Sequence, residues 1–165
     1  VPERVMPQGV VDKSKECAAT PDFMLPIDDL KAWEAEYGQI PAGSFVAFRS
    51  DWYKKGTNLD NPDENGVPHY PGWDVEAIRW LVEERNIASI GHEPADTDPG
   101  FVTTKPDAYP SPGEQYILEV NRFQIEVMRN LDQCPAVGAM IVCGFPKLKD
   151  GVGFPARCFA ICPVE

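Results

Sequence analysis

The feature that most constrains this chain is the order in which its hydrophobic periods change. Up to about residue 90, short apolar runs alternate with stretches of helical period. The run "GVVD" (residues 9–12) reads as a strand. "IDDLKAWEAEYG" reads as a helix with Leu30, Trp33 and Tyr37 on one face, acids in its first turn and Gly38 at its end. A turn at Pro41-Ala42-Gly43 leads into a strand over residues 44–49. "DVEAIRWLVEERN" is the clearest helix: Asp74 caps it, Val75, Ile78, Leu81 and Val82 form its apolar stripe, and Asn86 stops it. "IASI" follows as a buried strand. Beyond it the order changes. "EQYILEVNRFQIEVMRNLDQ" reads as mostly helical with a weak point at Asn121-Arg122. "GAMIVCGF" and "RCFAIC" are then two strands joined by the turn-rich "PKLKDGVGFPA", with no helix between them. Parallel neighbours need a crossover, whereas successive strands can pair antiparallel. The expectation is an α/β fold with a mixed sheet, in a single domain over residues 1–165.

Two long stretches, residues 53–73 and the proline-rich 99–113, have no period. Loops of that length in a compact domain are usually functional or mobile. A net charge of -11 argues against a nucleic-acid partner and against an anionic membrane surface, because both need clustered Lys and Arg. No apolar run approaches the roughly 20 residues of a membrane span. The start, "VPERVMPQGVV", has no apolar h-region and does not read as a signal peptide. Five cysteines form no C-x-x-C pair, and Cys143, Cys158 and Cys162 lie in apolar strand-like runs. That usage suggests a reducing, cytoplasmic compartment and argues against a thiolate zinc site.

The stretch "IGHEPADTDPG" leaves the end of a buried strand, where α/β folds place their sites. It collects one of only two histidines with several carboxylates. His92, Glu93, Asp96 and Asp98 could ligate a metal or hold neighbouring loops through Asx-type hydrogen bonds. The acidic run Asp60–Gly66 is broken by Pro62, which weakens a calcium loop there. No Gly-x-Ser-x-Gly, Walker loop, G-x-G-x-x-G or H-E-x-x-H occurs. Glu126 is unusual amid Ile125, Val127 and Met128, all of which read as buried. Its carboxylate either pairs with Arg122 or Arg129 or points into a cavity. Arg49, within an apolar strand, poses the same problem with opposite sign, and a buried carboxylate is its candidate partner.

Taken in order, "LKAWEAEYGQIPAGSFVAFRSDW", "PGWDVEAIRWLVEERNIASIGHEPADTD", "RFQIEVMRNLDQCPAVGAMIV" and "GFPARCFAI" resemble the cyclase family of metal-dependent amide hydrolases, which includes kynurenine formamidases and isatin hydrolases. The resemblance runs from about Val10 to Pro163. It implies a swivelling β/β/α-type fold, a homo-oligomer, and Mn²⁺- or Zn²⁺-activated water attacking an amide or lactam carbonyl of a small molecule. The family's ligand motif, H-x-G-T-H-x-D-x-P-x-H, is not in this sequence. The resemblance therefore casts the chain as the C-terminal portion of a member, incomplete at its N-terminus. No metal ligand is expected within it, no ion is expected bound by it alone, and a further segment or second chain is expected to supply the motif. Some members carry a histidine and a glutamate twelve residues apart; Glu126 matches the glutamate, and Glu114 stands where the histidine would be. That departure puts formamidase-type chemistry in doubt and leans toward the isatin hydrolase subgroup. The resemblance gives Glu126 and His92 catalytic roles, as pocket carboxylate and hydrogen-bond donor. It places Trp52, Arg49, Asp96 and Glu114 around the substrate. Two other readings stay open: a non-catalytic cyclase-like binding or scaffold protein that has lost the metal, and an acidic calcium-stabilised module.

Overall fold

The computed structural model describes residues 4–104, 111–146 and 148–164. Strand β1 (Val5–Asp12) is followed by helix α1 (Ser14–Ala19), β2 (Met24–Leu25), α2 (Ile27–Tyr37) and β3 (Phe45–Arg49). A 3₁₀ turn (Trp52–Lys55) opens the first long loop, which closes on β4 (Gly72–Trp73). Next come α3 (Val75–Arg85), β5 (Ser89–His92), α4 (Gly100–Thr103) and α5 (Pro112–Glu119). Strand β6 (Phe123–Ile125), a 3₁₀ turn (Leu131–Gln133), β7 (Ala139–Gly144) and β8 (Arg157–Ile161) complete the described chain. Residues 105–110 of the second long loop lie outside the described residues.

Six strands form one sheet in the order β6-β5-β3-β1-β7-β8. The β1–β3, β3–β5 and β5–β6 pairs are parallel, while β1–β7 and β7–β8 are antiparallel. The mixed sheet therefore follows from the sequence order: helical crossovers separate the parallel strands, and the last two strands turn back directly. Alternation along β3 explains how the sheet is covered. Val46 and Phe48 join one core with Leu30 and Trp33 of α2, Ile78 and Leu81 of α3 and Ile117 of α5. Phe45 and Ala47 face the other way, into a smaller core with Met6, Val10, Leu131 and Ile141.

Helix α3 forms as its pattern predicts. The Asp74 carboxylate accepts from the Glu76 N–H at 3.0 Å, and Asn86 ends the helix in the left-handed region at φ 50°. The segment after Gly113 differs from the expectation. Its helix stops at Glu119, Asn121 turns left-handed at φ 56°, and the Arg122 N–H bonds back to the Ile117 carbonyl. The following Phe-Gln-Ile then adds to β5 as a fourth parallel strand rather than continuing helical. Aromatic and β-branched residues suit that half-covered edge. Val127, expected buried, is 42% exposed and has φ 53°. It turns the chain away from the sheet just after β6.

Candidate functional site

Because β1, β3, β5 and β6 run parallel, their carboxyl ends meet on one side of the sheet, where such folds concentrate polar side chains. At the end of β5 stand His92 and Glu93, both 0% exposed. Glu93 ties β5 to β3: its Oε2 accepts from the Ser50 N–H (2.9 Å), the Ser50 hydroxyl (3.2 Å) and the Trp52 N–H (3.2 Å). Its Oε1 has no hydrogen-bond partner among the described residues. Burial pushes the Glu93 pKa up to about 7, against the pull of the Ser50 and Trp52 donors. His92 carries two unpartnered ring nitrogens among the described residues, and burial lowers its pKa to about 3. It is a neutral imidazole across the physiological range.

The loop leaving β5 is organised by its own acids. Asp98, 1% exposed, accepts from the Gly113 N–H (2.8 and 3.1 Å) and the Glu114 N–H (3.1 Å). It thereby caps α5 from fifteen residues away, a role the adjacent Ser111 does not perform. Asp96 accepts from the Thr97 N–H at 2.8 Å, and burial raises its pKa against that pull. The Thr97 hydroxyl donates to Gln124 Oε1, and Gln124 Nε2 donates to Glu126 Oε1 at 3.0 Å. A hydrogen-bonded line thus runs from the buried loop out to Glu126.

Glu126 sits with Glu114 and Gln124 in the wall of a cavity of ≈ 560 Å³, completed by Phe123, Phe145 and Phe154. Its pKa is pushed up to about 7, first by the desolvating walls and then by Glu114 and Asp96. The residue remains open to solvent, which tempers the first of these causes. Burial, then Asp96 and Asp98, also raises Glu114. The neighbours of Glu126 are therefore acids and an amide, and of the two arrangements open to it the structure shows the cavity wall rather than an arginine pair. Arg122 instead donates to the Ile87 carbonyl and to Asn86.

The structure brings Glu126, Glu114 and Asp96 into one electrostatic group and sets the other three candidates apart from it. Trp52 is 2% exposed, donates from Nε1 to the Leu59 carbonyl at 2.7 Å, and packs beneath Lys55. Arg49 is held by Asp51 (2.9 Å) and Asp12 (2.7 Å), both partly exposed, rather than by a buried carboxylate. His92 is sealed inside. Gln124, Thr97 and the capping role of Asp98 were not singled out from the sequence. A glutamine between two strand apolars carries no local signal, and the partners of all three lie far along the chain.

The metal that the family resemblance implies can be tested against these groups. Among the described residues, no three His, Cys, Asp or Glu side chains come together as a metal-holding group. One imidazole with open nitrogens and one open Glu93 oxygen do not make a divalent-ion site. The residues described here do not fit a resident metal by themselves. The Asp60–Gly66 run is a turn: Asp63 accepts from the N–H groups of Asn65 and Val67, both at 2.8 Å. Among the described residues no helix is long and apolar enough to cross a membrane.

A cavity at the carboxyl ends of parallel strands, with aromatic walls and a few polar groups, is where α/β folds bind small molecules. The family model described as "Putative cyclase" matches residues 1–99, and the chain belongs to that family. It is 38% identical over 162 residues to the isatin hydrolase of Roseibium aggregatum, covering 96% of this chain and 60% of that protein. It superposes on an isatin hydrolase bound to the product analogue thioisatinate with a TM-score of 0.87 at 37% identity, covering 97% of this chain and 61% of that one. Isatin hydrolase A from Ralstonia solanacearum matches with a TM-score of 0.86 at 37% identity, over 96% of this chain and 60% of that one. A potential metal-dependent hydrolase with cyclase activity shares the fold at a TM-score of 0.60 and 18% identity. The chain thus spans about three-fifths of the length of the isatin hydrolases it matches.

Proposed function

We propose that the protein hydrolyses a cyclic amide or cleaves an N-acyl amide, and that this chain supplies the carboxylate wall of the pocket. One observation supports the reading best. Glu126, Glu114 and Asp96 converge beside an open cavity in a chain that superposes on an isatin hydrolase carrying a product analogue. An Mn²⁺ or Zn²⁺ ion held by residues beyond these would supply acidified water and polarise the carbonyl.

The chain's own residues have narrower tasks. Glu126, with a pKa near 7, is poised to accept a proton and return it to the leaving nitrogen. Gln124 fixes its Oε1, and Thr97 fixes Gln124. Opening a neutral lactam creates a carboxylate. The acid rim admits the neutral substrate and disfavours retention of the anionic product. His92 is neutral and enclosed at the end of β5, with both ring nitrogens unpartnered among the described residues, so a hydrogen bond from it to substrate would require the loop to open. Trp52 adds its backbone N–H to the Ser50–Glu93 contact, and Arg49 keeps the ends of β1 and β3 in register. The working form is a homo-oligomer in a reducing, cytoplasmic compartment.

The test is turnover by the intact protein on isatin, simple lactams and N-formyl anilides, with Mn²⁺ or Zn²⁺ and after chelation. Metal-dependent turnover is expected, falling about 10²-fold in Glu126→Gln. No turnover on any of them, with no bound transition metal, would favour the non-catalytic binding protein.

A further inference from the structure

We propose that Cys143 and Cys158 form a reversible, peroxide-driven disulfide that holds Phe145 and Phe154 against the cavity. The two residues are directly opposed in the antiparallel β7–β8 ladder. Opposed residues of such a pair have Cα atoms about 4.5–5.5 Å apart, within the roughly 4.4–6.8 Å that a disulfide spans. Both are free thiols, and each shifts the other's pKa. Cys143 is 0% exposed, whereas Cys158 is half-buried and reachable by a small oxidant.

The pair sits at the base of the loop that forms one side of the cavity. Phe145, Val152, Gly153 and Phe154 of that loop face Glu114 and Glu126 across it. Phe145 stacks at 5.2 Å on Phe123 and at 6.2 Å on Phe154, so loop and cavity wall share one aromatic cluster. Bonding the loop's two ends removes conformations in which Phe154 swings clear.

The chemistry balances with hydrogen peroxide as oxidant. The neighbouring Cys143 lowers the Cys158 pKa, while Cys158 and burial raise that of Cys143. The Cys158 sulfur attacks peroxide, the O–O bond breaks, and water leaves behind a sulfenic acid. The Cys143 sulfur then displaces that hydroxyl, which departs as a second water with the Cys143 proton. Two thiols are oxidised and one peroxide is reduced. Opposed strand Cβ atoms stand about 4.5–5.5 Å apart, whereas a disulfide draws them to about 3.5–4.5 Å. Closure therefore strains the ladder and leaves the bond easy to reduce.

This inference does not depend on which reaction the pocket performs, and its readouts are not activity. The intact protein is treated with limiting hydrogen peroxide, and its mass and non-reduced peptide map are measured. The expected product is lighter by two hydrogens, carries a Cys143–Cys158 link and reverts with dithiothreitol. Tryptic cleavage after the exposed Lys149 should slow by about five-fold on oxidation. Cys158→Ser should abolish both effects, and Cys162→Ser should leave them intact. The wild-type peptide map decides even where a variant fails to fold. Three outcomes overturn the proposal: a link only between Cys134 and Cys162, which also touch; over-oxidation of Cys158 with no link; or a Cys143–Cys158 link that leaves cleavage at Lys149 unchanged.

Discussion

Between pH 5 and pH 8 the stability of the fold registers the titration of the buried Glu93 carboxyl alongside that of Glu126. The ordinary Glu93 pKa of 4.5 rises to about 7 in the folded protein because burial penalises the anion. At about 1.4 kcal/mol per pH unit, that gap makes ionising Glu93 cost the fold about 3 kcal/mol. The sign follows from proton counts. Between 4.5 and about 7 the folded protein holds a proton that the unfolded chain has lost, so this group's contribution to stability falls as pH rises. His92 works in the opposite sense. With its pKa lowered to about 3, it costs stability as pH falls below 6.5. A comparison of wild type with Glu93→Gln cancels His92 and Glu126 and keeps Glu93. Glutamine retains an acceptor for Ser50 and Trp52 and never ionises. Urea unfolding of the intact protein is the assay. Relative to wild type, the Gln variant should gain about 3 kcal/mol between pH 5 and pH 8, a midpoint shift of about 1.5 M at an m-value of roughly 2 kcal/mol/M. A difference that is flat with pH, or that grows toward acid, refutes the reasoning.

Other expectations are more local. Asp98→Ala strands the Gly113 and Glu114 N–H groups at the start of α5. It should cost about 3 kcal/mol in a thermal or urea melt, with Asp98→Asn milder because it keeps an acceptor. Gly72→Ala would drive a Cβ into the Asp98–Pro99 backbone, which cannot step aside as a side chain can. It should destabilise by at least about 2 kcal/mol by calorimetry. Thr97→Val cuts the line from Thr97 through Gln124 to Glu126 while keeping the shape. With Glu126 as the proposed base, the limb of the rate profile that it sets should move, and stability should change by about 1 kcal/mol.

Elements with a strong local period were legible in the sequence, and α3 formed with the cap and stop its residues specify. The β6 segment was not. Phe123-Gln124-Ile125 is too short to show a period of two, and its partner, β5, lies more than thirty residues away. The candidate site divides along the same line. Glu126 stood out because an acid among apolar residues is anomalous, and the structure sets it in a cavity wall whose described lining holds no arginine. Asp98 could be seen only as one acid among several. Capping a helix fifteen residues on is a property of the folded loop, not of its local sequence. Arg49 misled because strand burial is uneven: the end of β3 opens enough to let Asp12 and Asp51 reach it.

The central claim is that these residues wall the pocket while the ion is held elsewhere. Metal content and isatin-opening rate, measured together on the intact protein and on its Glu114→Gln, Glu126→Gln double variant, test it most directly. The account predicts an unchanged metal content and a rate at least about ten-fold lower. Loss of the metal on substitution, or a rate that does not move, would contradict it.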